Sequence, residues 1–199
     1  MILKDAYKIV APILVLAAIF ALVRLPVITL ISVLAAAFVC YFFRNPKRLI
    51  PQDPNLVVSP ADGKVVKIAS EDGNTLISIF LNIFDVHINR SPISGRVQSL
   101  QYRRGKFKPA FDDKASRLNE QNVITIAGAD ICVIVRQIAG LIARRVVCWK
   151  KPGDLIQRGE LLGLIRFGSR VDIILPKEVH IRVKVGERVK GGATVLGEY

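Results

Sequence analysis

His87 and His180 are the only imidazoles in the chain, so proton transfer near neutral pH has few candidate carriers. His87 stands in Phe84-Asp85-Val86-His87-Ile88-Asn89-Arg90-Ser91-Pro92. A two-residue period there puts Asp85, His87 and Asn89 on a polar face opposite Val86 and Ile88. A histidine so placed reads as a structural hydrogen-bonder or as a general base. His180, inside Val-His-Ile-Arg-Val, reads as structural. Ser59-Pro60-Ala61-Asp62-Gly63 is a turn signature with a carboxylate at its tip. Arg166-Phe167-Gly168-Ser169-Arg170-Val171-Asp172 sets a serine hydroxyl beside a glycine carbonyl, without the Gly-x-Ser-x-Gly spacing of hydrolases. Each of these, taken singly, also fits an ordinary turn or strand end.

The elements that must position them are mainly strands. From residue 44 onward the apolar runs are short, rich in Val and Ile, and punctuated by Gly, Pro and Asp. Strands are predicted at Leu56–Val58, Gly63–Ile68, Thr75–Phe80, Arg96–Arg103, Val123–Ile126, Ile131–Ile138, Arg144–Trp149, Leu161–Arg166, Val171–Leu175 and Val179–Val185. The one stretch with helical composition is Asp112–Gln121. The expected class is mostly β, a β-sandwich or barrel-like domain. A weak repeat, Gly153–Gly163 and Gly186–Gly197, starts 33 positions apart with Gly followed by an acid. It is compatible with lipoyl-like hairpins and equally with two unrelated turns that use glycine.

The chain has 199 residues, 51% of them hydrophobic, enough for one ordinary domain and too apolar for a disordered protein. The apolar excess is local, because Ile9–Val23 and Val27–Phe43 carry no charge and are split by Arg24-Leu25-Pro26. At 15 and 17 residues each is short for a span, so residues 1–43 read as an apolar helical hairpin that anchors the chain in a membrane. Lys4, Lys8, Arg44, Lys47 and Arg48 flank it against the lone Arg24 in the turn, which predicts both ends, and residues 44–199 with them, on the cytoplasmic face. Net charge is +13. Residues 1–43 contribute +2, which leaves +11 on the globular part and favours anionic partners. Three cysteines without a Cys-x-x-Cys pair argue against a disulfide framework or zinc site and for a reducing compartment.

The motifs combine more specifically than they stand alone. Phe43-Arg44-Asn45-Pro46, Ser59–Gly63, Asp85-Val86-His87 leading to Ser91-Pro92, Asp112-Asp113-Lys114-Ala115-Ser116 with Asn119-Glu120 and Asn122, Gln137–Gly140, and Arg166–Asp172 follow the apolar anchor in this order. Together, from about Phe43 to Val195, they resemble the phosphatidylserine decarboxylase family in its short, archaeal-type form.

The resemblance implies a proenzyme cut between Gly168 and Ser169 into residues 1–168 and 169–199. The Ser169 hydroxyl attacks the Gly168 carbonyl, the amide becomes an ester, and elimination leaves a dehydroalanine that water converts to a pyruvoyl group with loss of ammonia. His87 is then the base and Asp62 its orienting carboxylate, after the logic of hydrolytic triads. The pyruvoyl group derived from Ser169 is the implied cofactor, with no metal. It takes phosphatidylserine through a Schiff base to phosphatidylethanolamine and CO2, acting as an electron sink. Arg90, Lys114, Asn119 and Glu120 are the implied substrate-binding residues. Arg90 stands where longer members carry a second histidine, and reads as a phosphate or carboxylate contact or as a solvated charge. The implied partners are phosphatidylserine and an anionic membrane surface, with no nucleic acid. A homo-oligomer is compatible with the sequence and not specified by it. Two other readings compete: a membrane-anchored lipoyl or biotinyl-like module, and a signal-peptidase-like serine protease using Ser169 and a lysine.

Overall fold

The computed structural model describes residues 4–105, 118–140, 146–165 and 169–199. Its chain divides into two units, Met1–Lys47 and Arg48–Tyr199. In the first, α1 (Lys4–Leu22) and α2 (Pro26–Phe42) pack against each other as a hairpin. Pro26 opens α2 at the position where a missing N–H is harmless, and Arg24 turns the chain with φ 55°. At 1.5 Å per residue the helices are about 28 and 26 Å long. No helix among the described residues is long and apolar enough to cross a membrane. Many large apolar side chains of the hairpin are nevertheless exposed, Leu22 at 83% and Val27 at 68% among them.

The second unit is mostly β, as expected, and built on a curled eight-stranded half-barrel. Its strands are β1 (Leu56–Val58), β2 (Gly63–Glu71), β3 (Asn74–Leu81), β4 (Ile88–Arg90), β5 (Gly95–Arg103), β6 (Gln121–Ala127) and β7 (Cys132–Ala139). They continue with β8 (Val146–Cys148), β9 (Leu155–Ile156), β10 (Leu161–Ile165), β11 (Ser169–Leu175), β12 (His180–Ile181), β13 (Arg188–Val189) and β14 (Val195–Glu198). The large sheet runs β13-β2-β3-β11-β7-β6-β5-β9, and two small sheets run β1-β14-β12 and β4-β10-β8.

That order reads alike from either edge, which makes the unit a pair of similar halves meeting between β11 and β7. The halves are alike in detail. Ser59-Pro60-Ala61-Asp62-Gly63 opens β2 and Ser91-Pro92-Ile93-Ser94-Gly95 opens β5, and in each the serine hydroxyl donates to the carbonyl two residues on, at 2.7 Å. The Gly153 and Gly186 hairpins also match. Gly153 and Gly186 take φ 96° and 95°, and Gly159 and Gly192 take 76° and 77°, in the region that only glycine enters without strain. The weak sequence repeat is therefore a structural one.

Residue alternation explains the two faces of the large sheet. Val65, Ile77, Ile79, Leu81, Val133, Val135, Val171, Ile173 and Leu175 form the main core on one face. The concave face is polar. There Arg136 donates to Glu71 at 2.7 Å, bridging β7 and β2 over the two strands between them, a contact that the curl of the sheet brings within range. At its centre Arg170 Nε donates to Asp172 at 2.7 Å and Nη2 to Ser78 Oγ at 2.6 Å, with all three side chains buried. Removing the carboxylate strands a guanidinium in the interior. Asp172→Leu should cost about 3–5 kcal/mol in chemical denaturation, and the double change Arg170→Met with Asp172→Leu should cost less.

Two sequence expectations fail here. Gln121 begins β6 rather than ending a helix, because Gln121 pairs across to Ile138 and Arg103; residues 112–117 of that expected helix lie outside the described residues. Val179–Val185 contributes only His180–Ile181 as strand, since a tight turn from Lys184 to Glu187 diverts the chain and β14 pairs with two residues alone.

Candidate active site

Ser169 is the first residue of β11, in the middle of the large sheet, paired with Leu81 on one side and Ala139 on the other. It is fully buried, and its Oγ has no hydrogen-bond partner among the described residues. A buried hydroxyl without a partner is costly and uncommon, which makes Ser169 a candidate for chemistry. Gly168 and Lys114 lie outside the described residues.

His87 is bonded to β10, the strand that precedes Ser169 in the chain. The Ile165 N–H donates to the His87 carbonyl at 3.3 Å, and Leu164 pairs with Ile88, so the chain leaves His87 at Ile165 and re-enters the sheet at Ser169. The side chain of His87 is not on a solvated polar face: it is fully buried, with Val86 and Ile88 buried beside it. Its Nδ1 lies 2.9 Å from the Asp85 carbonyl, which only accepts, so Nδ1 carries the proton and Nε2 is the basic nitrogen of the neutral ring.

Amides hold the neighbouring strands in place. Gln137 Nε2 donates to Asn89 Oδ1 at 2.8 Å, tying β7 to β4, while Asn122 Nδ2 donates to Gln137 Oε1 at 3.0 Å. Gly163 makes this possible, because a Cβ there would stand 2.1 Å from the Val147 carbonyl and 2.7 Å from Gln137 Nε2. Asn119 donates to the Ala139 carbonyl at 2.8 Å and the Glu120 carbonyl accepts from Ala139 at 2.9 Å, so both attach to the cross-strand neighbour of Ser169. Asn89, Gln137 and Asn122 were not singled out as site residues in the sequence. Gln137 stood in the predicted strand Ile131–Ile138, Asn122 just before the predicted Val123–Ile126, and Asn89 on the polar face read for the His87 segment.

Asp62 and Arg90 form a separate cluster. Arg48 Nη2 donates to both Asp62 oxygens, at 2.9 and 2.7 Å, and the Gly191 N–H donates to Oδ1 at 2.8 Å. In the other half Ser94 Oγ accepts from the Arg158 N–H in the corresponding place, at 3.0 Å, so this acceptor position belongs to the fold's repeat. The side-chain contact described above for the His87 ring is local, its Nδ1 to the Asp85 carbonyl two residues before it. Arg90 donates to the Gly159 carbonyl at 2.8 Å and is half-buried rather than freely solvated. Burial first, then the like charge of Arg48, holds its guanidinium below the ordinary arginine pKa, and the Asp62 carboxylate pulls it back up.

Burial pushes the Cys148 thiol up. Among the described residues no group of three or more His, Cys, Asp or Glu side chains gathers to hold a metal.

A buried serine opening a central strand, with a buried histidine bonded to the end of the preceding strand, outlines a β-sheet enzyme that presents its hydroxyl from a strand terminus. Sequence comparison narrows the class. Residues 35–197 match the family model of phosphatidylserine decarboxylase. A phosphatidylserine decarboxylase proenzyme of Solibacter usitatus is 50% identical over 171 residues, covering 86% of this chain and 83% of the relative. One of Carboxydothermus hydrogenoformans is 51% identical over 168 residues, covering 80% and 79%. One of Geotalea uraniireducens is 44% identical over 203 residues, covering 98% and 95%. The chain belongs to the phosphatidylserine decarboxylase family, which sets aside the carrier-module and protease readings.

Proposed function

We propose that this chain is a self-processing, pyruvoyl-dependent phosphatidylserine decarboxylase. The observation that carries the reading is the buried Ser169 hydroxyl at the start of β11, without a hydrogen-bond partner among the described residues, with His87 bonded to the end of the preceding strand. The hydroxyl is the attacking group. His87 Nε2 takes its proton as oxygen adds to the Gly168 carbonyl, and the same imidazolium returns a proton to the departing amide nitrogen. The ester so formed is eliminated across Cα–Cβ of residue 169, and water replaces the nitrogen, which leaves as ammonia.

The site suits the product, because a serine with no hydrogen bond to lose among the described residues is replaced there by a smaller carbonyl group. A pyruvoyl group at position 169 supplies a ketone that takes up the substrate amine and accepts the electrons released with CO2. The chain's residues bind and protonate around it. His87, held by the Asp85 carbonyl, is the candidate to deliver the proton that replaces CO2. The buried walls of Leu81 and Ala139 exclude water, and Asn119, Glu120, Arg90 and Lys114 are the candidates for headgroup contacts. Intact mass of the purified protein tests the reading, since it predicts a chain ending at Gly168 and a 31-residue piece from 169 to 199 whose amino terminus carries a ketone.

The apolar hairpin is proposed to lie in the bilayer, with the +11 domain against anionic lipid on the cytoplasmic face. Exposed Leu and Val side chains on α1 and α2 support this, since lipid would cover them. Exposed Ile83 and Phe84, in the turn before His87, offer a second apolar contact near the site. Deleting residues 1–43 should leave self-cleavage complete on a gel, because that chemistry lies within the second unit. Vesicle binding should fall and become salt-sensitive, resting on about 1 kcal/mol per basic residue at the surface. A truncated chain that stays uncut would assign the hairpin a part in the catalytic fold.

A further inference from the structure

The concave face of the large sheet carries a cavity of about 430 Å³, a size typical of small-ligand sites. Five cations line it, Lys67, Arg103, Arg104, Arg136 and Arg170, against two carboxylates. Arg136 is paired with Glu71 and Arg170 with the buried Asp172, so the balance that remains is Lys67, Arg103 and Arg104 against Asp72, and the field inside is positive. Arg103 and Arg104 are exposed at its rim, while Arg170 and Asn119 are buried in its wall.

The cavity adjoins the position where the reaction is proposed to occur. Arg170, Ile138, Gln121 and Arg103 stand in register across β11, β7, β6 and β5, one residue along from the Ser169–Ala139 pair. The Ser169 side chain points to the core face, but its Cα, the carbon that would become the ketone, lies in the plane of the sheet between the two faces. Asn119 links the two directly, lining the cavity while donating to the Ala139 carbonyl.

We propose that this cavity is the phosphodiester subsite for a serine phospholipid headgroup, with Arg103, Arg104 and Arg136 holding the phosphate while the headgroup amine reaches residue 169. The proposal rests on the decarboxylase reading. In such a headgroup two carbons and an oxygen separate nitrogen from phosphorus. Arg136 stands on the strand next to Ser169, and Arg103 three strands away, roughly 14 Å at about 4.8 Å per strand, a gap that its long side chain and the curl of the sheet shorten. Planar guanidinium forks match phosphate oxygens, and a curved polar face lined by several of them suits a phosphodiester better than an apolar ligand.

The test uses the full chain in detergent and the double variant Arg103→Gln, Arg104→Gln, whose exposed side chains leave the fold undisturbed, with thermal melting as the check. Titration calorimetry with inorganic phosphate and with glycerophosphoserine should give binding of both, weakened about five- to tenfold in the variant, and the two should compete. In mixed micelles KM for phosphatidylserine should rise by a similar factor, with kcat within about twofold. Equal phosphate binding by both proteins, or an unchanged KM, would overturn the subsite. Phosphate binding that glycerophosphoserine does not displace would make it a site for free phosphate and equally overturn the assignment. Because the calorimetry needs no turnover, an inactive protein whose phosphate binding still falls in the variant would count against the decarboxylase reading and not against the anion cavity.

Discussion

Ser169→Ala should remain one uncut chain and show no decarboxylase activity, the largest effect expected of any single substitution in this protein. The hydroxyl is both the attacking atom of the cleavage and the precursor of the ketone, so nothing downstream survives its loss. Stability should move little, or rise. A buried hydroxyl without a hydrogen-bond partner among the described residues contributes nothing that alanine lacks, and its removal relieves a desolvated polar atom. The combination separates a reactive serine from a structural one, because a structural serine at the head of a central strand would lower Tm when replaced. Denaturing gels and intact mass read the first outcome, and calorimetric melting the second. Two chains from this variant would mean that another residue attacks and would sink the assignment.

His87→Ala should slow self-cleavage by about 10²–10⁴-fold, the range lost when a positioned acid or base is removed. The imidazole is fully buried and its Nδ1 lies 2.9 Å from the Asp85 carbonyl, which makes Nε2 the basic nitrogen of the neutral ring. His180→Ala, at an exposed position in β12, is the control and should be cut at the normal rate. Time courses from freshly translated chain give both rates. Since His87→Ala also opens a cavity, its folded fraction should be measured alongside, and His87→Gln, closer in size, should be as slow. Normal cutting of both His87 variants would move the base elsewhere, with a lysine the next candidate.

Much of the scaffold was legible because alternation is a local property. Val65, Ile77 and Ile79, or Val171, Ile173 and Leu175, announce both a strand and its buried face from their spacing alone. Arg24-Leu25-Pro26 announced the break between the helices in the same way. What misled was also local. Val179–Val185 has the composition of a strand, yet a strand exists only where a partner edge runs beside it, and β14 meets two residues of that stretch. Gln121 looked like the end of a polar helix because its ladder partners, Ile138 and Arg103, are distant in sequence. The second Ser-Pro-x-x-Gly, at Ser91, was visible in the chain, but only the matched hydrogen bonds reveal that it repeats the first.

The sequence by itself determined the strand pattern, the apolar hairpin, the excess positive charge, and the ordered motifs that lead to Gly168-Ser169 and to the family. Only the tertiary structure decided which of these residues meet. His87 is bonded to the end of β10 because β4 pairs with that strand, and Asp62 stands with Arg48 because its turn faces the Gly191 hairpin. Arg103, Arg136 and Arg170 surround one cavity because β5, β7 and β11 share a curled sheet. Those meetings follow from strand register and sheet curvature. Both are set by pairings between residues tens of positions apart, and a single step of register would turn every side chain to the opposite face.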